Sequence, residues 1–219
     1  MTIFRIISGT ALLIFIGAVA FDLKRRRGSW NAAMEYLRGG IKSAARIRQE
    51  RRLVKSGHTI TVVRTIVYLI AVLSFLLLAL TGFAPILFAG NHPTGILLLI
   101  HVTVAPVFAL ALAAASLLWA HSLRFDNEDW RVVRNGHRGL REESIRFALK
   151  AGFWLILLLS LPLMLTVILG LFPLFGTEGE TFLIQLHGYS ALFLMLVALF
   201  HLYLTITYAQ QPSDQFVKE

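Results

Sequence analysis

Five separate runs of twenty or more mostly apolar residues fill most of this chain, at residues 3–23, 60–89, 95–121, 147–175 and 182–208. A run of that length spans the hydrocarbon of a bilayer as a helix, because only an α-helix or a closed barrel satisfies its backbone polar groups there. The runs lack the short apolar–polar alternation of barrel strands, so the expectation is an all-α membrane protein with five transmembrane helices. The second and fourth runs exceed the minimum, which implies tilt or interfacial ends. Only 15% of the 219 residues are charged, against 57% hydrophobic. A soluble domain carries about a quarter charged residues. The first run has its positive charge after the apolar stretch rather than before it, which fits a retained span better than a cleaved leader.

Charge gives the expected orientation. Eleven Lys and Arg lie between Lys24 and Lys55 against two Glu, and seven lie between Ser122 and Lys150. The opposite connections, 85–94 and 176–181, have neither Lys nor Arg. The positive-inside rule puts both basic segments in the cytoplasm, the N-terminus outside and the C-terminus inside. The net charge of +9 is therefore read as a partner for anionic lipid, not nucleic acid. Residues 24–59 are expected to form one or two basic helices along the cytoplasmic face. The domain reading is an N-terminal span (1–23), this basic segment (24–59), a four-helix bundle (60–210) and a cytoplasmic tail (211–219). No internal repeat is evident.

Cysteine is absent. Disulfides, thiolate-held iron–sulfur or zinc sites and covalently attached c-type haem are thereby excluded. Histidine is the remaining ligand for a metal or cofactor. In "IQLHGYSALFLMLVALFHLYL", residues 184–204, His187 and His201 stand fourteen residues apart in apolar surroundings. Fourteen residues are almost four turns, so both imidazoles share one helix face about 21 Å apart. Two hydrogen-bonded core histidines would satisfy the pattern. Ionisable residues inside membrane spans are, however, functional by default, and neutral imidazole is a strong axial ligand for haem iron.

Haem with two histidine ligands needs a partner from a facing helix at equal depth. His187 lies five residues into its run from the outer side and His101 six, both about 8–9 Å deep. These two are expected to share one haem iron, in the way helix bundles assemble cofactor sites. His201 lies about 29 Å deep, where the second run offers Tyr68 or Leu69. His58 and His121 sit at the wrong depth to pair with it, and His92 and His137 read as exposed loop residues. Gly82, Gly152, Gly170 and Gly188 would admit close approach of helices or of a flat macrocycle. Pro106 and Pro162 can kink their helices.

Residues 60–208 resemble the b-type cytochrome subunits of bacterial formate dehydrogenase and nickel–iron hydrogenase. The resemblance rests on "SFLLLALTGF" (74–83), "LLLIHVTVAPVFALALAAASLLWAH" (97–121), "IRFALKAGFWLILLLSLPLML" (145–165) and "LHGYSALFLMLVALFHLYL" (186–204). It implies a multi-pass protein of the bacterial inner membrane and an electron-transfer subunit of a hetero-oligomeric complex, not a stand-alone enzyme. It implies haem b on His101 and His187, and a second haem at His201 whose other ligand would come from the first family helix. It further implies a redox partner with iron–sulfur clusters or c-type haem at the outer face, and quinone near the cytoplasmic side. The family spacing expects a histidine where this chain has Tyr68, so the second haem lacks its usual ligand pair and one haem per chain is the expectation. The N-terminal span and basic segment are additions to the family pattern. The competing reading is a haem-free membrane anchor that recruits a larger complex through the basic segment.

Overall fold

Each apolar run forms a helix, because apolar side chains face lipid at no penalty while the backbone closes its own hydrogen bonds. The computed structural model describes residues 2–27, 31, 34–35, 38–39, 58–135, 141–172 and 174–208. Among these residues there is no strand. The helices are α1 (Thr2–Arg27), α2 (His58–Ala84), α3 (Gly95–Trp119), α4 (Asn127–Asn135), α5 (Arg141–Gly170) and α6 (Gly176–Tyr208). A π-helical turn, Pro85–Ala89, continues α2. Five helices are long and apolar enough to cross a membrane: Thr2–Arg25, Ile60–Ala89, Gly95–Trp119, Glu143–Gly170 and Gly176–Ile206. The protein is a multi-pass, all-α membrane protein. Most of the predicted basic segment 24–59, all of the tail 211–219, and His137 lie outside the described residues.

The spans pack as two helical hairpins, α2 with α3 and α5 with α6, with α1 against α6 and the π-helical turn. Hydrophobicity alone does not divide interior from exterior. Many leucines face outward, Leu117 being 86% exposed, while Ser8, Thr65, Ser74, Thr81, Ser160, Thr166 and Ser190 are buried, as are Leu112, Leu192 and Leu194. Small residues let helices approach closely in lipid, where no hydrophobic force brings them together. Most of these hydroxyls donate to carbonyls of their own helix, as Ser74 does to Ile70 at 2.6 Å and Ser160 to Leu157 at 2.7 Å. Two clusters tie the hairpins together. Phe108, Leu112 and Leu194 pack with Phe75, Leu78, Leu157 and Leu163, drawing on α2, α3, α5 and α6. Phe83, Leu192 and Met195 pack with Phe4 and Leu12, bringing in α1. Pro106 and Pro162 sit inside helices that run on through them.

At the end of the bundle with the 120–140 connection, α4 is capped and clamped by charge. Asp126 accepts from the backbone N–H groups of Glu128 (2.9 Å) and Asp129 (3.0 Å), and Asp129 accepts from that of Asp126 (2.8 Å). This reciprocal arrangement is a capping box with Asp in the usual Glu place. Lys150 of α5 donates to Asp129 at 2.6 Å and to Asp126 at 2.9 Å. The Lys150 ammonium and the two N–H donors hold the Asp126 carboxyl at about 2, below its ordinary value of 3.8. Trp154 of α5 donates its indole N–H to the Leu123 carbonyl at 2.9 Å. Arg64 of α2 reaches the Leu118 carbonyl at the end of α3, at 2.8 Å.

Candidate functional site

His101 projects from the second turn of α3, six residues past Gly95, and His187 from the fourth turn of α6, eleven residues past Gly176. Both are half-buried. The structure brings them together across the two hairpins, with ring centroids 6.3 Å apart and ring planes at 73°. The matched depth read from the sequence is therefore met in the fold. Two imidazoles held at metal–nitrogen bonds of about 2 Å, on opposite sides of one ion, put their centroids roughly 6 Å apart.

Each ring is anchored through Nδ1 to the other helix of its own hairpin. His101 Nδ1 lies 2.9 Å from the Thr81 hydroxyl of α2. His187 Nδ1 lies 3.2 Å from the Thr166 hydroxyl of α5 and 3.2 Å from the Leu163 carbonyl. A carbonyl only accepts, so His187 Nδ1 carries the proton and its Nε2 carries the lone pair. An imidazole that donates one N–H to protein and offers the other nitrogen is a metal-ready ligand. The donor set thus fits a metal that prefers two imidazoles, and haem iron is such a metal.

Gly82 makes room for this arrangement. A Cβ there would lie 3.2 Å from His101 Cε1 and 3.6 Å from its Nδ1. Beside Gly188, by contrast, stands Phe4 of α1, whose Cζ would be 3.3 Å from a Cβ. The Phe4 ring also stacks on Phe83 at 6.4 Å and meets Tyr189 edge-on at 5.1 Å. Phe4 therefore packs beside residues adjacent in sequence to Gly82 and His187. Arg5, next to it, donates to the Leu87 carbonyl at 2.9 Å and fixes α1 to the π-helical turn. Gly170 has nothing within 4 Å of a Cβ, so close approach does not explain it.

His201 is placed elsewhere, four turns further along α6. It is half-buried, and its Nδ1 is enclosed without a hydrogen-bond partner among the described residues. It is lodged against α5: a Cβ on Gly152 would lie 2.7 Å from His201 Nδ1 and 3.4 Å from its Cβ and Cγ. Two residues on, Tyr203 donates its hydroxyl to Asp22 of α1, tying the other end of α1 to α6. His92 and His121 are exposed. The described residues contain no group of three or more His, Asp or Glu placed to hold a metal ion.

Sequence reading missed Thr81 and Thr166. A signal was present: "LALT" (78–81) precedes His101 by 20 residues and "LMLT" (163–166) precedes His187 by 21. The two hairpins share an L-x-L-T string on the first helix and a histidine on the second, and elsewhere their sequences diverge. Comparison with protein families, with characterised proteins and with solved structures finds no match to this chain.

Proposed function

We propose that the chain is a b-type cytochrome subunit of a bacterial inner membrane, with one haem held between His101 and His187. It passes electrons between a redox partner at the outer face and membrane quinone. One observation carries the reading: two half-buried imidazoles from different hairpins lie 6.3 Å apart, each anchored through Nδ1. A haem bound there would supply a one-electron couple. The protein's part is to hold both Nε2 atoms at the metal, keep the pocket apolar through Phe4 and Phe83, and fix the depth of the couple near one face of the bundle.

The same reading assigns sides. The end carrying His101, His187 and the π-helical turn faces outward, because the opposite end holds the basic 24–59 and 122–150 segments. An outer haem suits exchange with a partner whose iron–sulfur clusters or c-type haem lie outside the membrane. His201 and Tyr68 mark the cytoplasmic half, where a quinone headgroup or a second haem would bind. The resemblance of residues 60–208 to the cytochrome subunits of formate dehydrogenase and nickel–iron hydrogenase supports this assignment, and Tyr68 in place of histidine favours a single haem.

The visible spectrum of the detergent-purified protein, with haem counted as the pyridine haemochrome, tests the reading. A reduced-minus-oxidised b-type spectrum and a ratio near one haem per chain are expected. A ratio near two would place a second haem at His201, and a colourless protein purified from haem-replete cells would leave the membrane-anchor role instead.

A further inference from the structure

The same small device recurs behind both histidines. Thr81 Oγ1 lies 2.7 Å from the Leu77 carbonyl and 3.3 Å from that of Leu78. Thr166 Oγ1 lies 2.8 Å from the Leu163 carbonyl. A hydroxyl has one proton, and a carbonyl can only accept it. With each threonine's proton on its nearer carbonyl, only lone pairs are left for the histidine. In that arrangement His101 and His187 both donate Nδ1–H, as the Leu163 carbonyl already requires of His187, and both keep the lone pair on Nε2. The buried hydroxyls of Ser8, Thr65, Ser74 and Ser160 bond backward along their own helices, as Thr65 does to Thr61. Thr81 and Thr166 have a histidine ring as a second partner.

We propose that Thr81 and Thr166 are a matched pair of positioning residues that accept Nδ1–H from His101 and His187, Thr166 together with the Leu163 carbonyl, and that would lower the reduction potential of a metal held by the two histidines. This rests on the haem reading above. An acceptor on Nδ1–H increases the electron density of the imidazole and its basicity as a ligand. A more basic ligand stabilises the oxidised, more positive metal. Both axial ligands receive this push from a hydroxyl that is itself polarised by its carbonyl, so the two effects act in the same direction. Threonine suits the task because its branched Cβ limits χ1 to rotamers in which Oγ1 meets the i−3 or i−4 carbonyl.

The test uses the full-length protein with its haem, as Thr81→Val, Thr166→Val, the double variant, and Thr81→Ser and Thr166→Ser. Valine keeps the shape and removes the hydroxyl acceptor, which at His187 leaves the Leu163 carbonyl as the remaining acceptor, whereas serine keeps the hydroxyl. Midpoint potential is read by spectroelectrochemistry, and axial ligation by low-temperature electron paramagnetic resonance. Each valine variant should retain two histidine ligands and shift toward the reduced form by up to tenfold, about 59 mV for one electron. The double variant should shift further, and both serine variants should match the wild type. Haem lost with valine but kept with serine also supports the positioning role. Valine variants with the wild-type potential and ligation overturn it, as does haem loss in valine and serine variants alike. A wild-type protein without haem overturns the haem reading itself and this proposal with it.

Discussion

Replacing Gly152 by alanine sets two opposing effects against each other at His201. In an exposed helix interior, Gly→Ala stabilises by roughly 1 kcal/mol, because alanine restricts the unfolded chain and glycine does not. At Gly152 the new Cβ would lie 2.7 Å from His201 Nδ1, and 3.4 Å from its Cβ and Cγ. The His201 Cβ and Cγ would lie at 3.4 Å, about ordinary contact distance, so the clash is with Nδ1 and the ring must turn out of its slot against α5. Overpacking of this kind costs typically about 1–3 kcal/mol, and a contact this short belongs at the upper end. The net expectation is destabilisation by roughly 1–2 kcal/mol. Gly82 is the internal control. Its Cβ would lie 3.2 Å from His101 Cε1, which a shift of a few tenths of an ångström relieves, so Gly82→Ala should be near neutral. Both variants can be followed by thermal unfolding in detergent, with helical circular dichroism as the signal. Gly152→Ala at or above wild-type stability would refute the placement of His201 against α5. Equal losses in the two variants would refute the use of these distances to rank them.

His101→Leu should abolish the two-histidine haem signal while the helix content is kept, and His187→Leu should do the same; unchanged haem content in either would sink the shared site. A reporter fused into the "GNHPTG" connection, residues 90–95, should read as exported, and a cytoplasmic readout would invert the topology. Lys150→Met leaves the Asp129 carboxylate, whose side chain is 4% exposed, without its cation and should destabilise by about 3 kcal/mol, as a loss of detergent-phase unfolding temperature shows. The Asp126 carboxyl has a folded value of about 2 against 3.8 unfolded, so its contribution is present above about pH 4 and lost as pH falls through 2. Acid titration of unfolding should therefore show a steeper loss between pH 4 and 2 in the wild type than in Asp126→Asn.

Much of this protein is legible in its sequence, for a physical reason. In lipid each spanning segment must satisfy its backbone alone, so length and apolarity report helices one at a time, without knowledge of their neighbours. The five spans were accessible on that basis, with ends that differ by a few residues where charged flanks continue a helix, as Glu143 does ahead of residue 147. The depth of His101 and His187 was accessible too, because rise per residue is constant along a helix. What lies around a helix axis is not local. The sequence could not say that Thr81 and Thr166 meet the histidine rings, that Gly82 and Gly152 each face an imidazole, or that Phe4 of the added span packs against Phe83, Gly188 and Tyr189. Those depend on which helix lies beside which and at what rotation. In a membrane, that choice rests on small residues, hydroxyls and shape rather than on a hydrophobic stripe that could be read in advance.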